Sequence, residues 1–208
     1  MTANTSDIVA TEFKNKNGLF MQTQLEFLRA MIDNIDGAIL HILAHRGQVV
    51  RYIQCHKKQQ QLPEQRSLRR QQTIQALLTF SETLSLRPAF VKALLETLFQ
   101  SSTHFLKTPE KDDAALLMIA VASLDDLNRT LKHLDMALLS LLAERMALVK
   151  RVCEFKKQHQ LPPLSLARWQ EVLKSKRAMA EQLHINPVAI EQFYDVIHQE
   201  ALAIEAEC

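Results

Sequence analysis

The sequence repeats itself once at an offset of 99 positions, and a tandem repeat limits the folds open to a chain more than any other feature. The segment at 57–63 aligns without a gap on the segment at 156–162, since both begin Lys-Lys-Gln and end Gln-Leu-Pro. The same offset superposes five further identical pairs: Leu28 and Leu127, Asp36 and Asp135, Arg46 and Arg145, Arg69 and Arg168, Pro88 and Pro187. One register held across both halves indicates a duplicated unit of about a hundred residues.

The composition predicts that each unit is almost wholly helical. Only 3 Gly and 6 Pro occur among 208 residues, and β-branched residues do not alternate in runs. Each unit then contains a long, a short and a medium helix. In the first unit they run from about Gln22 to Gln61, from about Glu64 to Thr83, and from Pro88 to before Thr108; in the second, to Gln160, from about Leu164 to Glu181, and from Pro187 towards Cys208. A helix of about forty residues spans roughly 60 Å, so it needs the other copy to cover its apolar face.

These elements divide the chain into four parts. Residues 1–20 are polar and form an N-terminal tail that we expect to be flexible, and residues 21–107 form the first repeat. The polar, proline-bearing segment 108–113 is the linker, and residues 114–208 form the second repeat.

Several broad classes of protein are excluded by composition. A net charge of +2, without a basic stripe, does not indicate a nucleic acid as partner. No apolar run reaches the length of a membrane span, and the N-terminus lacks the basic and apolar blocks of a signal peptide. Three widely spaced cysteines do not form a disulfide framework. We therefore expect a cytoplasmic protein that binds neither nucleic acid nor membrane.

Cations occupy inward positions on the two long helices. The apolar seams, spaced alternately by four and three, read Ile39, Leu43, Arg46, Val50, Ile53, Lys57 and Leu138, Leu142, Arg145, Val149, Val152, Lys156. Arg69 or Arg168 follows each helix as a third cation. We expect few acidic residues on the facing seams, and unpaired buried charge is costly, so a small ligand with several carboxylates or phosphates fits here. The alternative is that these side chains reach solvent or meet a carboxylate of a neighbouring helix.

The second long helix carries a motif shared with a known family. From Leu127 to Arg145 it reads Leu-x-x-x-x-x-x-Leu-Asp-x-x-Leu-Leu-x-Leu-Leu-Ala-Glu-Arg, followed by Val152, Lys156, Pro162 and Arg168. This pattern resembles the all-helical class of chorismate mutases, over about 24–106 and 123–205. Members are dimers of three-helix subunits, and a single arginine crosses into each site from the partner. The resemblance implies an all-α fold of two such repeats intertwined as a single-chain pseudo-dimer, which we expect to be monomeric, with higher assembly left open.

The resemblance also implies the residues of a site in the second repeat. Arg145 and Arg168 correspond to arginines that handle carboxylates, and Lys156 to the lysine that contacts the substrate's ether oxygen. Glu205 stands where the family has a glutamine, or in some members a glutamate, on the other side of that oxygen. Arg29, from the first repeat, corresponds to the crossing arginine. Lys156, Glu205 and Arg145 are thus the expected catalytic residues.

The pattern departs from the family in both repeats. Ser165 and Trp169 take positions where the family often has acidic residues that hold the ring hydroxyl; Ser165 remains an expected substrate-binding residue alongside Arg29 and Arg168. In the first repeat Arg46, Lys57, Arg69 and Ser102 are present. There, however, Leu106 replaces the glutamine and Asn128 replaces the crossing arginine, so we expect that site to be vestigial or an effector pocket.

The implied activity is the rearrangement of the dianion chorismate to prephenate in aromatic amino-acid biosynthesis, with no metal and no cofactor. Because Glu205 can donate a hydrogen bond only when protonated, we expect activity to need acid pH or a raised pKa. Trp169 keeps two alternatives on the same fold open, an isochorismate-pyruvate lyase and an aminodeoxychorismate mutase. A third alternative is a non-catalytic protein that binds a metabolite for regulation.

Overall fold

A computed structural model describes the backbone of residues 5–61, 66–100, 122–162 and 166–208, with side chains for 18, 20–61, 70–100, 122–162 and 167–208. These residues form six α-helices and no strand. The helices are α1 (Thr5–Gln59), α2 (Arg66–Thr83), α3 (Pro88–Gln100), α4 (Leu124–Gln158), α5 (Leu166–Gln182) and α6 (Pro187–Glu207). The predicted order of long, short and medium helices is confirmed in the second repeat, where the helices have 35, 17 and 21 residues. The first repeat also contains three helices, but among its described residues α2 has 18 residues and α3 has 13. The linker at 108–113 lies outside the described residues.

The first helix departs from the prediction because it begins at Thr5 rather than near Gln22, so residues assigned to a tail are helical. No proline interrupts this segment, and Gly18 is its only glycine. Polar residues without apolar periodicity gave no sign of a helix, but nothing in them stops a helix from extending backward one residue at a time.

The helix ends recur at equivalent positions of the two repeats. Gln61 and Gln160 both have φ of 52°, while Ser85 and His184 have φ of 57° and 56°. Each pair is one repeat apart, and each residue takes the left-handed conformation that closes a helix C-terminus. The start of α4 is fixed by Ser123, whose hydroxyl accepts from the Asp126 backbone N–H at 3.1 Å in a reciprocal capping box.

The core is built from helices of both repeats. The long helices α1 and α4 lie against each other, α2 packs on α4, and α5 packs on α1. The second helix of each repeat thus contacts the long helix of the other, and α3 packs on α6. The seam residues Ile39 and Leu138 are 0% and 1% exposed, which confirms the predicted inward face. The structure is the expected all-α fold of two intertwined repeats.

None of the described helices is long and apolar enough to cross a membrane.

Candidate active site

Two buried ion pairs join the long helices. Arg46 Nε donates to Asp135 Oδ1 at 2.6 Å, and Arg145 Nε donates to Asp36 Oδ1 at 2.8 Å. The two pairs are related by the repeat offset, and their order shows that α1 and α4 run antiparallel. The expectation of few acidic residues on the facing seams was therefore wrong. Asp36 lies three residues before Ile39, so extending the same seam by one step would have revealed it.

The Arg145–Asp36 pair belongs to a larger cluster. We assign each pair to the half that contains its arginine, so this is the pair of the second half and Arg46–Asp135 is the pair of the first half. Lys176 Nζ lies 3.1 Å from Asp36 Oδ2 and donates to Asp33 Oδ1 at 2.9 Å. Tyr194 donates to the backbone carbonyl of Asp36 at 3.4 Å, and burial, followed by the charge of Asp36, holds the pKa of this tyrosine well above its usual value. Arg145 Nη1 is buried and has no hydrogen-bond partner among the described residues. The sequence prediction did not include Lys176, although a lysine where the first repeat has Leu77 was a usable signal.

The last helix brings Glu205 to Lys156. Lys156 Nζ donates to Glu205 Oε1 at 3.0 Å, and the two side chains are 8% and 18% exposed. Two residues predicted to flank one substrate atom, 49 positions apart in the chain, are therefore in direct contact. In the first repeat the equivalent Lys57 is half-buried, and Leu106, the equivalent of Glu205, lies outside the described residues.

The antiparallel register places Arg29 near this end of α4. Arg29 lies seven residues before Asp36, and Val152 lies seven residues after Arg145, so the Asp36–Arg145 pair brings these two positions level. Lys156 follows Val152 by one helical turn, about 6 Å along the axis. Among the described side chains none forms a hydrogen bond or ion pair with the half-buried Arg29.

The remaining predicted residues lie at the start of α5. Arg168 is partly exposed, and its Nη1 donates to Glu171 Oε2 at 3.1 Å, a contact within one helical turn. Ser165 and the side chain of Arg69 lie outside what the structure describes, as does Ser102. The structure thus brings together Lys156 and Glu205 directly, and relates Arg145 and Arg29 to them through the α1–α4 register.

An aromatic stack joins α5 and α6 in the second repeat. The rings of Trp169 and His198 lie 3.9 Å apart at 6°. Burial lowers the pKa of His198, the carboxylates of Asp195 and Glu205 oppose that change, and the charge of Arg145 adds to it. His198 is therefore within electrostatic reach of two predicted site residues. Sequence reasoning missed it because nothing in the sequence shows which ring faces Trp169.

The same place in the first repeat holds a different stack. Arg70 and Phe99 are the equivalents of Trp169 and His198, and the Arg70 guanidinium lies 5.3 Å from the centre of the Phe99 ring. The buried Arg46 lies 5.4 Å from the same ring centre. Phe99 thus contacts two cations there, a cation–π arrangement that the second repeat replaces with stacked aromatic rings.

The described groups offer charge and hydrogen bonds more than covalent chemistry. Burial raises the pKa of the Cys153 thiol to about 11, so it is a protonated thiol at neutral pH rather than a nucleophile. Within the described ranges, no three histidine, cysteine, aspartate or glutamate residues are grouped so that they could hold a metal ion. The arrangement can bind an anion and stabilise negative charge on a bound oxygen.

Comparison with known protein families supports this chemistry. The family described as chorismate mutase type II matches the chain twice, at residues 28–106 and 127–206. The two matches begin at positions separated by the same offset as the repeat, and together they cover more than half of the chain. No curated protein and no solved structure matches it. The chain belongs to the chorismate mutase type II family, of which it carries two copies in tandem.

Proposed function

We propose that the protein rearranges chorismate to prephenate in one composite site, built on the second repeat and completed by Arg29 of the first. The observation that carries this proposal is the buried contact between Lys156 and Glu205, 3.0 Å apart, with Arg29 level with the adjacent turn of α4. In the first repeat Lys57 is only half-buried, and Asn128 stands where a crossing arginine would be needed.

The role of the arginines is to hold a flexible dianion in a compact conformer. Arg145, Arg168 and Arg29 bind its carboxylates, and Ser165 contributes a hydroxyl beside the ring. Holding the reacting carbons together converts an unlikely conformer into the bound one, which is where much of the rate acceleration for a unimolecular rearrangement arises. The unpartnered Nη1 of Arg145 supports this role, since a carboxylate supplies the missing acceptor.

Lys156 and Glu205 act on the ether oxygen. As the carbon–oxygen bond breaks, negative charge grows on that oxygen, and a fixed donor stabilises it more than it stabilises the bound substrate. The substrate enters between the two side chains and replaces their direct contact. Lys156 then donates from one side, and protonated Glu205 donates from the other. The chemistry requires no covalent intermediate.

Trp169 supports a second candidate on the same fold. Its ring is stacked on His198 at a position where the family often carries an acidic residue for the ring hydroxyl. An aromatic wall there suits a ring with a different substituent pattern, as in isochorismate or an amino-substituted chorismate. The corresponding activities are an isochorismate-pyruvate lyase and an aminodeoxychorismate mutase. A protein that binds one of these metabolites without turnover is the non-enzymatic alternative.

The deciding experiment incubates the purified protein separately with chorismate, isochorismate and aminodeoxychorismate, and identifies the products. Conversion of chorismate to prephenate is expected. In the same assay Arg29→Ala should abolish turnover, whereas the matched variant Asn128→Ala at the equivalent position should retain it. Pyruvate release from isochorismate alone would identify a lyase, and tight binding of one compound without turnover would identify a regulatory protein. Full activity of Arg29→Ala would refute the composite site.

A further inference from the structure

Lys176 is a buried cation in a position where the fold does not need one. It is 4% exposed, on the side of α5 that meets α1. The equivalent residue of the first repeat is Leu77, which is 2% exposed and belongs to the apolar core. Burying an ammonium group costs free energy that burying leucine does not. Because leucine fills the same place in the other half, packing alone does not require a lysine there.

Lys176 contacts one buried and one exposed carboxylate. Its Nζ lies 3.1 Å from Asp36 Oδ2, while Arg145 Nε lies 2.8 Å from Oδ1 of the same carboxylate. One buried aspartate therefore faces two buried cations, and this trio has a net charge of +1. Asp33, the other partner of Lys176, is 47% exposed, so solvent screens its charge.

The first half has a balanced pair instead. Asp135 is 1% exposed and pairs with Arg46 alone among the described side chains, for a net charge of zero. Arg145 has an identical equivalent in Arg46, but the other residues around Asp36 have changed: Lys176, Asp33 and Tyr194 correspond to Leu77, Lys132 and Leu95. The difference between the halves is thus concentrated around one of the two aspartates.

We propose that Lys176 is a positioning residue that acts through Asp36 to leave Arg145 available for an anionic ligand, an inference that rests on the proposed function. Lys176 forms an ion pair with Asp36, so the negative charge of Asp36 is shared between two cations and does not balance Arg145 alone. The Nη1 edge of Arg145 stays without an acceptor, and the buried trio keeps one positive charge that a ligand carboxylate neutralises. Without Lys176, Asp36 balances the charge of Arg145, as Asp135 balances that of Arg46 in the first half.

A purely structural role for Lys176 would be to fasten α5 to α1. In that case its removal would lower the melting temperature and leave ligand affinity unchanged. The two roles separate because the carboxylate that Arg145 is proposed to bind has the same charge before and during the reaction. A weaker hold on that carboxylate is expected to raise KM more than it lowers kcat.

The test measures kcat, KM and melting temperature for full-length Lys176→Leu, Lys176→Gln and Lys176→Arg. Lys174→Leu is the matched control, because it makes the same change at an exposed site of the same helix. We expect Lys176→Leu and Lys176→Gln to raise KM for chorismate about tenfold, about 1.4 kcal/mol, with kcat within about threefold of wild type. Lys176→Arg should restore most of the affinity, and Lys174→Leu should match wild type.

An unchanged KM in whichever of the Leu and Gln variants folds would overturn the inference and leave the proposed function intact. If the wild-type protein binds chorismate without turning it over, the dissociation constant from calorimetry replaces KM, with the same expected change. Wild-type protein that neither binds nor converts chorismate would overturn the proposed function and this inference together.

Discussion

Asp36 and Asp135 are equivalent residues of the two repeats, each buried and each paired with an arginine across the α1–α4 interface. Around Asp135 the neighbouring helix contributes Leu77, and the pair is electrically balanced. Around Asp36 the equivalent helix contributes Lys176, and the buried trio of Asp36, Arg145 and Lys176 has a net charge of +1. Duplication keeps the ion pair in both places, which suits a role in holding the long helices in register. In the proposed function, only one half also uses the pair as part of a site for an anion.

The same division holds at the other end of each site. Lys156 is 8% exposed and reaches Glu205, whereas Lys57 is half-buried. Trp169 stacks on a histidine, whereas Arg70 covers a phenylalanine. The cations alone therefore do not distinguish the halves, because both contain them. The halves differ instead in the residues that contact those cations.

The largest expected effect is on the stability of the first half. Arg46→Leu leaves Asp135 buried without its partner, which should cost about 3–5 kcal/mol of unfolding free energy. The double variant Arg46→Leu/Asp135→Leu removes both charges and should be nearly as stable as wild type, or more stable. Burial already raises the pKa of the Asp135 carboxyl against the opposing influence of Arg46, which shows that the charged form is costly there. Urea unfolding measures both changes.

Chorismate turnover of matched double variants tests the same comparison. The first-half double variant should retain wild-type activity, since its pair is structural. The matched double variant Arg145→Leu/Asp36→Leu should lose turnover even where it folds. Equal loss in both would show that the halves are not divided as proposed.

The next effect is on the reaction itself. Lys156→Met removes the donor to the ether oxygen and should lower kcat about 10²–10³-fold, the usual result of deleting one donor from a preorganised site. Lys57→Met makes the same change at the equivalent position and should alter kcat less than about twofold. Steady-state kinetics with chorismate checks both, and a comparable loss in Lys57→Met would indicate a second working site.

We expect activity to depend on pH through Glu205, whose equivalent in the first repeat is Leu106. A carboxyl group donates a hydrogen bond only when it is protonated, so wild-type kcat should fall as the pH rises, by up to about tenfold per unit. Glu205→Gln donates at every pH and should give a flat profile. Glu207→Gln, at an exposed position two residues further on, should keep the wild-type profile. Identical rates and profiles in Glu205→Gln and wild type would remove Glu205 from the mechanism.

The fold could be predicted because the sequence signals that specify it are local or repeated. Helical periodicity identified Ile39 and Leu138 as core residues, and the offset carried each helix from one repeat to the other. The start of α1 was missed because a polar helix without an apolar stripe resembles a tail in sequence. Helix periodicity records which face is apolar, not whether a polar segment is helical.

The site could be predicted less completely because its partners are distant in sequence. Arg145 and Asp36 are 109 positions apart, and only the antiparallel register of α1 and α4 brings them together. The resemblance supplied Lys156 and Glu205, whose contact the structure shows. Lys176 and His198 belong to no motif, and only the packing of α5 and α6 shows that they lie beside predicted site residues or their partners.

The smallest expected effect concerns the stack in the second half. Burial lowers the pKa of His198 below its ordinary value of 6.5, so the unfolded chain takes up this proton more readily than the folded one. The stability it confers is present above about pH 6.5 and lost as the pH falls towards the lower, folded-state pKa. His198→Phe introduces the residue type found at the equivalent position of the first repeat, Phe99. The variant should lose this pH-dependent contribution to stability and keep the ring contact with Trp169. The change is small because His198 is only half-buried and solvent screens its charge.

Trp169 provides a direct measurement, since it is the only tryptophan in the chain. Protonation of a stacked imidazole quenches indole fluorescence. The Trp169 emission of the wild-type protein should therefore decrease as the pH is lowered, with a midpoint below pH 6.5. That fall should vanish in His198→Phe and persist in His133→Phe, a matched change at an exposed site. A midpoint at or above 6.5 would show that the histidine is no more buried than a solvated one. The aromatic stack would then be open to water, and Trp169 would not form the aromatic wall, closed to water, that is proposed to distinguish the second site from the first.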